Sequence, residues 1–188
     1  MNRTVLLVMD YQNNVVDRFG TPEAVAATAR AIAAARAAGI PVMFPRVDFR
    51  SGYPEIAASN LMFGGIPERT KGRPADPRGT AIHDAVAPLD GEPVITKVRV
   101  SAFSGSPLDA LLRASAATHL VLAGVATSGV VLSTLRQAAD LDYEITVLSD
   151  ACADGDPEVH RVLLEKVFPI QAGVVTVTEW AEAISAGN

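Results

Sequence analysis

Three stretches of the sequence place reactive or small residues directly after an apolar run. Asp10 follows VLLVM, Lys97 follows VIT, and LVLAGV continues into the small-residue turn ATSGVV. A carboxylate can transfer a proton, an ammonium can stabilise a nearby negative charge, and backbone amides at a strand-to-helix turn can bind an anion. Because ligands of open α/β sheets bind beyond the carboxyl ends of the strands, these three stretches are the candidate site.

The elements that must position these residues alternate along the chain. Most apolar runs are continuous, which is typical of strands covered on both faces. Strands that alternate with helices predict a parallel sheet with right-handed crossovers. The predicted fold class is therefore α/β, a three-layer Rossmann-like fold with a six-stranded, mainly parallel sheet flanked by helices. The predicted strands are 5–9, 41–44, 93–96, 120–123, 145–148 and 173–177.

Helix signals separate these strands. A capping residue followed by proline typically begins a helix, and glycine typically ends one. Residues 46–92 are instead rich in Gly, Pro, Arg and Asp, and such a segment commonly covers a site or contacts a partner subunit. We expect one domain over residues 1–188. The predicted helices begin at Thr21-Pro22 (ending at Gly39), Ser106-Pro107, Asp156-Pro157 and Thr178.

The composition and charge of the chain exclude several classes of binding partner. The 188 residues carry a net charge of −5 and scattered basic residues, which argues against nucleic acid and favours a small-molecule substrate. The single cysteine, Cys152, allows no internal disulfide. No apolar run approaches the ~20 residues of a membrane span. We therefore expect a cytoplasmic protein with no membrane partner.

Cofactor motifs are absent from the sequence. There is no G-x-G-x-x-G after the first strand and no phosphate-binding G-x-x-x-x-G-K-[ST]. The histidines, His83, His119 and His160, lie far apart and lack metal-ligand spacing. The sequence therefore predicts neither a cofactor nor a metal.

The segments VMDYQN, ITKVRVSAF and LAGVATSGVVLSTLRQAADLDYEITVLSDA, in this order, resemble the isochorismatase-like hydrolases along nearly the whole chain. The match is poorest over about residues 50–90. In members that cleave amides such as nicotinamide, an aspartate, a lysine and a cysteine form the catalytic set. The resemblance assigns the first two roles to Asp10 and Lys97. It places Val130 at the cysteine position, where only the backbone amide could take part.

The resemblance also implies further contacts. The amides of Ala126 and Val130 would stabilise an oxyanion, and the Val125–Ala126 peptide would be cis. Thr127 and Ser128, in the same turn, would contribute amides that bind the substrate. The nicotinamidase branch binds a metal through an Asp-x-His pattern, whereas this chain has Asp48-Phe49-Arg50, which again predicts no metal.

Other substrate contacts are expected outside that turn. Gln12 matches a family position close behind the aspartate, and Phe103 would line the pocket. Arg46 and Arg50 could bind a substrate carboxylate with two hydrogen bonds. By resemblance we also expect a homo-oligomer, with the 46–92 segment as its contact.

Isochorismatases proper lack the cysteine and hydrolyse an enol ether by acid catalysis. The resemblance therefore favours a metal-free hydrolase of a small anionic metabolite, with Asp10 as general acid and Lys97 as its electrostatic partner. Such an acid needs a pKa raised by burial, which the lysine opposes. Two alternatives stay open: a non-catalytic, metabolite-binding member, and an amide hydrolase with a relocated nucleophile, Thr127, Ser128 or Cys152.

Overall fold

The apolar runs form one sheet in the computed structural model, which describes residues 3–186. The six strands in that range pair in the order β3-β2-β1-β4-β5-β6, and every pairing is parallel. The α/β prediction is confirmed, and the sheet is wholly rather than mainly parallel. The strands are β1 Thr4–Met9, β2 Val42–Val47, β3 Val94–Lys97, β4 His119–Val125, β5 Glu144–Ala153 and β6 Gly173–Val175.

The strand ends differ from the predicted ones where polar residues interrupt the apolar pattern. β5 continues five residues beyond the predicted end at 148 and pairs there with the end of β4, Gly124 opposite Cys152. β6 is shorter than predicted because Thr176 begins the next helix. Its hydroxyl accepts the Glu179 N–H, and the Glu179 carboxylate accepts the Thr176 N–H in return.

The helices begin and end as predicted where a capping residue is present. The Thr21 hydroxyl accepts the Ala24 N–H at 3.1 Å, and Gly39 adopts a φ of +68° just beyond the end of α2. None of the helices in residues 3–186 has the length and apolar character that a bilayer crossing requires. The helices are α1 Asn13–Phe19, α2 Pro22–Ala37, α3 Ile66–Thr70, α4 Pro77–Thr80, α5 Leu108–Ala114, α6 Leu132–Asp140, α7 Pro157–Val162 and α8 Val177–Ala186.

Helices cover both faces of the sheet and give three layers. On one face, α2 and α8 pack alanines and Trp180 against Leu6 and Val8 of β1. On the other face, α5 and α6 pack leucines against Leu7 and Met9. Helices α1, α3 and α4 were not predicted, and α3 and α4 give local structure to the irregular segment 46–92.

We expect Gly124→Ala to destabilise the chain by about 2 kcal/mol, because it overpacks the core. A Cβ at this position would lie 3.0 Å from Val131 Cγ2 and 3.2 Å from the Met9 carbonyl oxygen. Gly173→Ala is the matched control, since its Cβ would have no neighbour closer than 3.8 Å. Urea unfolding of both variants measures the difference, and equal stabilities would contradict this packing.

Candidate active site

The end of β1 turns the Asp10 side chain towards Lys97. Strand alternation would place Asp10 on the face of Leu6 and Val8, whereas Lys97 shares the opposite face with Ile95. Asp10 lies just beyond the last residue of β1 and has a φ of +56°, in the left-handed region. Few residues other than glycine, asparagine and aspartate adopt this backbone conformation readily. This break in the alternation allows the carboxylate to reach the lysine.

Asp10 and Lys97 form a buried ion pair. Lys97 Nζ lies 2.9 Å from Asp10 Oδ2, and the two residues are 1% and 7% exposed, respectively. Lys97 Nζ also donates to the Arg99 carbonyl oxygen at 2.9 Å. The other carboxylate oxygen, Oδ1, is buried and has no hydrogen-bond partner within residues 3–186. That oxygen can therefore carry a proton without losing a protein contact.

Burial dominates the acidity of this carboxyl group. Desolvation raises the pKa of Asp10 from 3.8 to about 6, although the charge and hydrogen bond of Lys97, and to a smaller extent the backbone of Val47, act in the opposite direction. The two opposing effects expected from the sequence are thus both present, and burial is the larger. An acid with this pKa exchanges protons near neutral pH.

The position of the expected nucleophile holds an inert side chain. Val130 is 2% exposed and packs in the same apolar cluster as Met9 and Phe103. Cys152, the candidate for a relocated thiol, is 4% exposed in that cluster, and burial raises its pKa to about 12. A thiol that stays protonated is a poor nucleophile. Burial therefore argues against Cys152 as a relocated nucleophile.

Hydrogen bonds to residues at and after the end of β5 fix the turn that follows β4. The Val125–Ala126 peptide is cis, as the resemblance implied. The Thr127 hydroxyl donates to the Ala153 carbonyl oxygen at 3.1 Å and pairs with His160 Nδ1 at 2.7 Å. The Ser128 N–H donates to Asp154 Oδ2 at 2.7 Å.

These bonds engage the turn residues expected to bind substrate or to replace the thiol. The Thr127 hydroxyl and the Ser128 amide are both committed to groups within the protein. This arrangement argues against the Thr127 hydroxyl as a nucleophile and against the Ser128 amide as a substrate contact. The Thr127 amide as a substrate contact and the Ser128 hydroxyl as a nucleophile stay predictions. The amides of Ala126 and Val130 stay predicted donors to the substrate.

Gln12 braces the site rather than facing a substrate. Its amide nitrogen donates to the carbonyl oxygens of Val47 and Thr80 at 2.9 and 3.1 Å, and its amide oxygen accepts the Val47 N–H at 2.8 Å. The side chain is fully buried. Gln12 thus fixes the end of β2 beside the end of β1, and its expected substrate contact does not fit this geometry.

Two further expected contacts are occupied by the protein itself. Phe103 is a core residue whose ring centroid lies 6.2 Å from that of Tyr143. Arg46 pairs with Asp48 at 3.4 Å and donates to the Thr80 carbonyl oxygen. Arg50, in contrast, is 83% exposed and borders an open cleft. Of the two arginines, Arg50 is the more exposed and is the one that lines the cleft.

Sequence reasoning missed the residues that support the site from a distance. The Arg99 carbonyl oxygen carries no side-chain signal. Asp154 follows β5 as Asp10 follows β1, so the same signal was present, but the strand was predicted to end at 148. His160 lies on α7 and meets Thr127 only in the folded chain.

We expect Asp10→Asn to lower the free energy of unfolding by about 3 kcal/mol well above pH 6, because it leaves the Lys97 ammonium buried without its counterion. Asparagine tolerates the left-handed backbone, so the change removes charge without adding strain. Thermal unfolding measures the loss. The double variant Asp10→Asn/Lys97→Met should recover most of it, and an unchanged stability of the single variant would contradict the buried pair.

Comparison of the chain with known proteins identifies its family. The model of the isochorismatase domain matches residues 4–179. The ureidoacrylate amidohydrolase RutB of Methylobacterium radiotolerans is 34% identical over 206 residues, which cover 97% of this chain and 77% of the relative.

Solved structures give the same result. An isochorismatase family protein from Burkholderia thailandensis is 28% identical with a TM-score of 0.87, over 97% of this chain and 96% of that chain. The N-carbamoylsarcosine amidase from Thermoplasma acidophilum is 26% identical with a TM-score of 0.73, over 94% and 97% of the two chains. The chain therefore belongs to the isochorismatase family of hydrolases.

Proposed function

We propose that this chain hydrolyses a small anionic metabolite through Asp10 and Lys97, with water rather than a protein thiol as the nucleophile. The observation that carries the proposal is the state of the Asp10 carboxyl group. One oxygen is paired with Lys97, the other is buried without a hydrogen-bond partner in the described part of the chain, and burial raises the pKa to about 6. Such a group can donate or accept a proton near neutral pH without a metal.

The first reaction that we propose for this centre is the acid-catalysed hydrolysis of an enol ether. Asp10 would give its proton to the enol methylene carbon, and the substrate would become an oxocarbenium ion. Water then adds to the cationic carbon and returns one proton to the Asp10 carboxylate. The resulting hemiketal breaks down to a ketone and an alcohol. Lys97 would stabilise the carboxylate in the interval between the two proton transfers.

The relatives favour a second candidate, hydrolysis of a ureido or carbamoyl C–N bond. The names of the Methylobacterium and Thermoplasma enzymes both denote such a group. Without a thiol, water itself would add to the carbonyl carbon while ionised Asp10 accepts a proton from it. Asp10 would then return that proton to the departing nitrogen. The same two residues would act, but in the opposite protonation state.

The pH dependence of turnover distinguishes the two reactions. A general acid must be protonated, so kcat for an enol ether should fall as the pH rises through about 6, whereas kcat for a ureido substrate should rise there. The panel is isochorismate, related enol ethers, ureidoacrylate and nicotinamide. The readout is release of pyruvate or another ketone from isochorismate and the enol ethers, and release of ammonia from ureidoacrylate and nicotinamide.

Asp10→Asn should reduce kcat at least about 100-fold on whichever substrate is turned over. The assay is run well below the unfolding temperature of the variant, with near-ultraviolet circular dichroism as the control for folding. A variant that retains full turnover would contradict the proposed role of Asp10. A wild-type chain that binds these compounds without converting them would favour the non-catalytic, metabolite-binding alternative.

Val130→Cys tests whether the rest of the family centre is intact. We expect the new thiol to lie beside Asp10, which can accept its proton, and so to react with iodoacetamide at least about tenfold faster than Cys152 at neutral pH. The background is Cys152→Ala, and Val130→Ser is the control without a thiol. A cysteine at 130 as inert as Cys152 would contradict the placement of this position beside Asp10.

A further inference from the structure

A cleft of about 340 Å³ opens at the carboxyl edge of β2 and β3. Asp48, just beyond β2, lies on one side, and Thr96 and Val98, which flank Lys97, lie on another. Arg50 and Glu55, from the irregular segment, complete the polar lining. Asp10 follows the carboxyl end of β1, so it lies at the same edge of the sheet as the cleft. Ligands of open parallel sheets bind at this edge.

Arg50 is only loosely held in this cleft. Its Nε lies 3.4 Å from Glu55 Oε1, and this is the one ion pair that the structure gives Arg50 within residues 3–186. A tighter ion pair in the same protein has two short hydrogen bonds: Arg36 donates to both carboxylate oxygens of Glu92, at 2.9 and 2.7 Å. The Arg50 guanidinium therefore has donors to spare for a second anion.

Glu55 is a poorly satisfied carboxylate. Its side chain is 15% exposed, and Oε2 is buried with no hydrogen-bond partner in the described part of the chain. A buried oxygen without a partner costs free energy that a tighter pair with Arg50 would recover. The neighbouring carboxylate, Asp48, has an ion pair of its own with Arg46, also at 3.4 Å. Among the residues that line the cleft, Arg50 is thus the one cation, and Glu55 is the carboxylate that pairs with it.

We propose that Arg50 binds the carboxylate of the substrate and that Glu55 occupies Arg50 until the substrate replaces it. The inference rests on the proposed function in one respect, the anionic character of the metabolite. Arginine binds a carboxylate with two parallel hydrogen bonds, which the single long contact to Glu55 does not use. Glu55 would repel a substrate carboxylate until it is displaced. Removing Glu55 should therefore strengthen anion binding, and removing Arg50 should weaken it.

The test uses acrylate and acrylamide, because both lack a hydrolysable ureido or enol-ether bond and only acrylate is charged. Calorimetry or chemical-shift titration of the full chain measures their dissociation constants. We expect Glu55→Gln to tighten acrylate binding about threefold and Arg50→Gln to weaken it about tenfold, with Arg50→Lys intermediate. Acrylamide binding should change little in any of them.

The exposed pair Arg161 and Glu158 on α7 supplies matched controls, since the two lie 2.8 Å apart and away from the cleft. Arg161→Gln and Glu158→Gln should leave acrylate binding unchanged. Equal weakening by Glu55→Gln and Arg50→Gln, no effect of either, or no acrylate binding to the wild-type chain would overturn the inference.

Failure of this inference and failure of the proposed function give different results. If turnover depends on Asp10 but the acrylate dissociation constant is unchanged in Arg50→Gln, only the proposed role of Arg50 is overturned. Opposite effects of Glu55→Gln and Arg50→Gln on acrylate binding, in a chain that turns over none of the panel, would support the anion site without the hydrolysis.

Discussion

The ion pair between Asp10 and Lys97 imposes the strictest demands on the rest of this structure. Removing two charges from water costs several kcal/mol for each ion, so both need partners in fixed positions. The parallel sheet provides these positions by ending β1 and β3 at the same edge. The left-handed backbone at Asp10 turns the carboxylate towards the lysine, and the Arg99 carbonyl oxygen takes a further ammonium proton. Gln12 then holds the end of β2 beside that of β1.

Burial has opposite consequences for the two acidic groups of this region. It raises the pKa of Asp10 to about 6, where a carboxyl group exchanges protons at physiological pH. It raises the pKa of Cys152 to about 12, where a thiol stays protonated and unreactive. Valine at position 130 adds no nucleophile. Burial therefore favours proton transfer by Asp10 and leaves the Cys152 thiol unreactive, and because position 130 holds no thiol we infer attack by water.

The sheet and its edge could be predicted from the sequence because continuous apolar runs and helix caps are local signals. Asp10 and Lys97 could also be proposed, since each follows such a run. The length of β5 could not, because Ser149 and Asp150 interrupt its apolar pattern and the pairing with β4 resumes only at Cys152, after a shift in register. The contacts that Gln12, Phe103 and Thr127 make within the protein could not be predicted for a related reason. Each type of side chain can face a ligand or the protein, and only tertiary contacts decide between them.

The acidity of Asp10 is the property on which the proposed chemistry most directly depends. A carbon-13 NMR titration of the aspartate carboxyl groups would measure it, with Asp10→Asn used to assign the resonance. We expect one carboxyl group to titrate at about pH 6 and to be missing from the variant. If the Asp10 resonance titrated at or below the ordinary value of 3.8, burial would not outweigh Lys97, and proton donation by Asp10 near neutral pH would be contradicted.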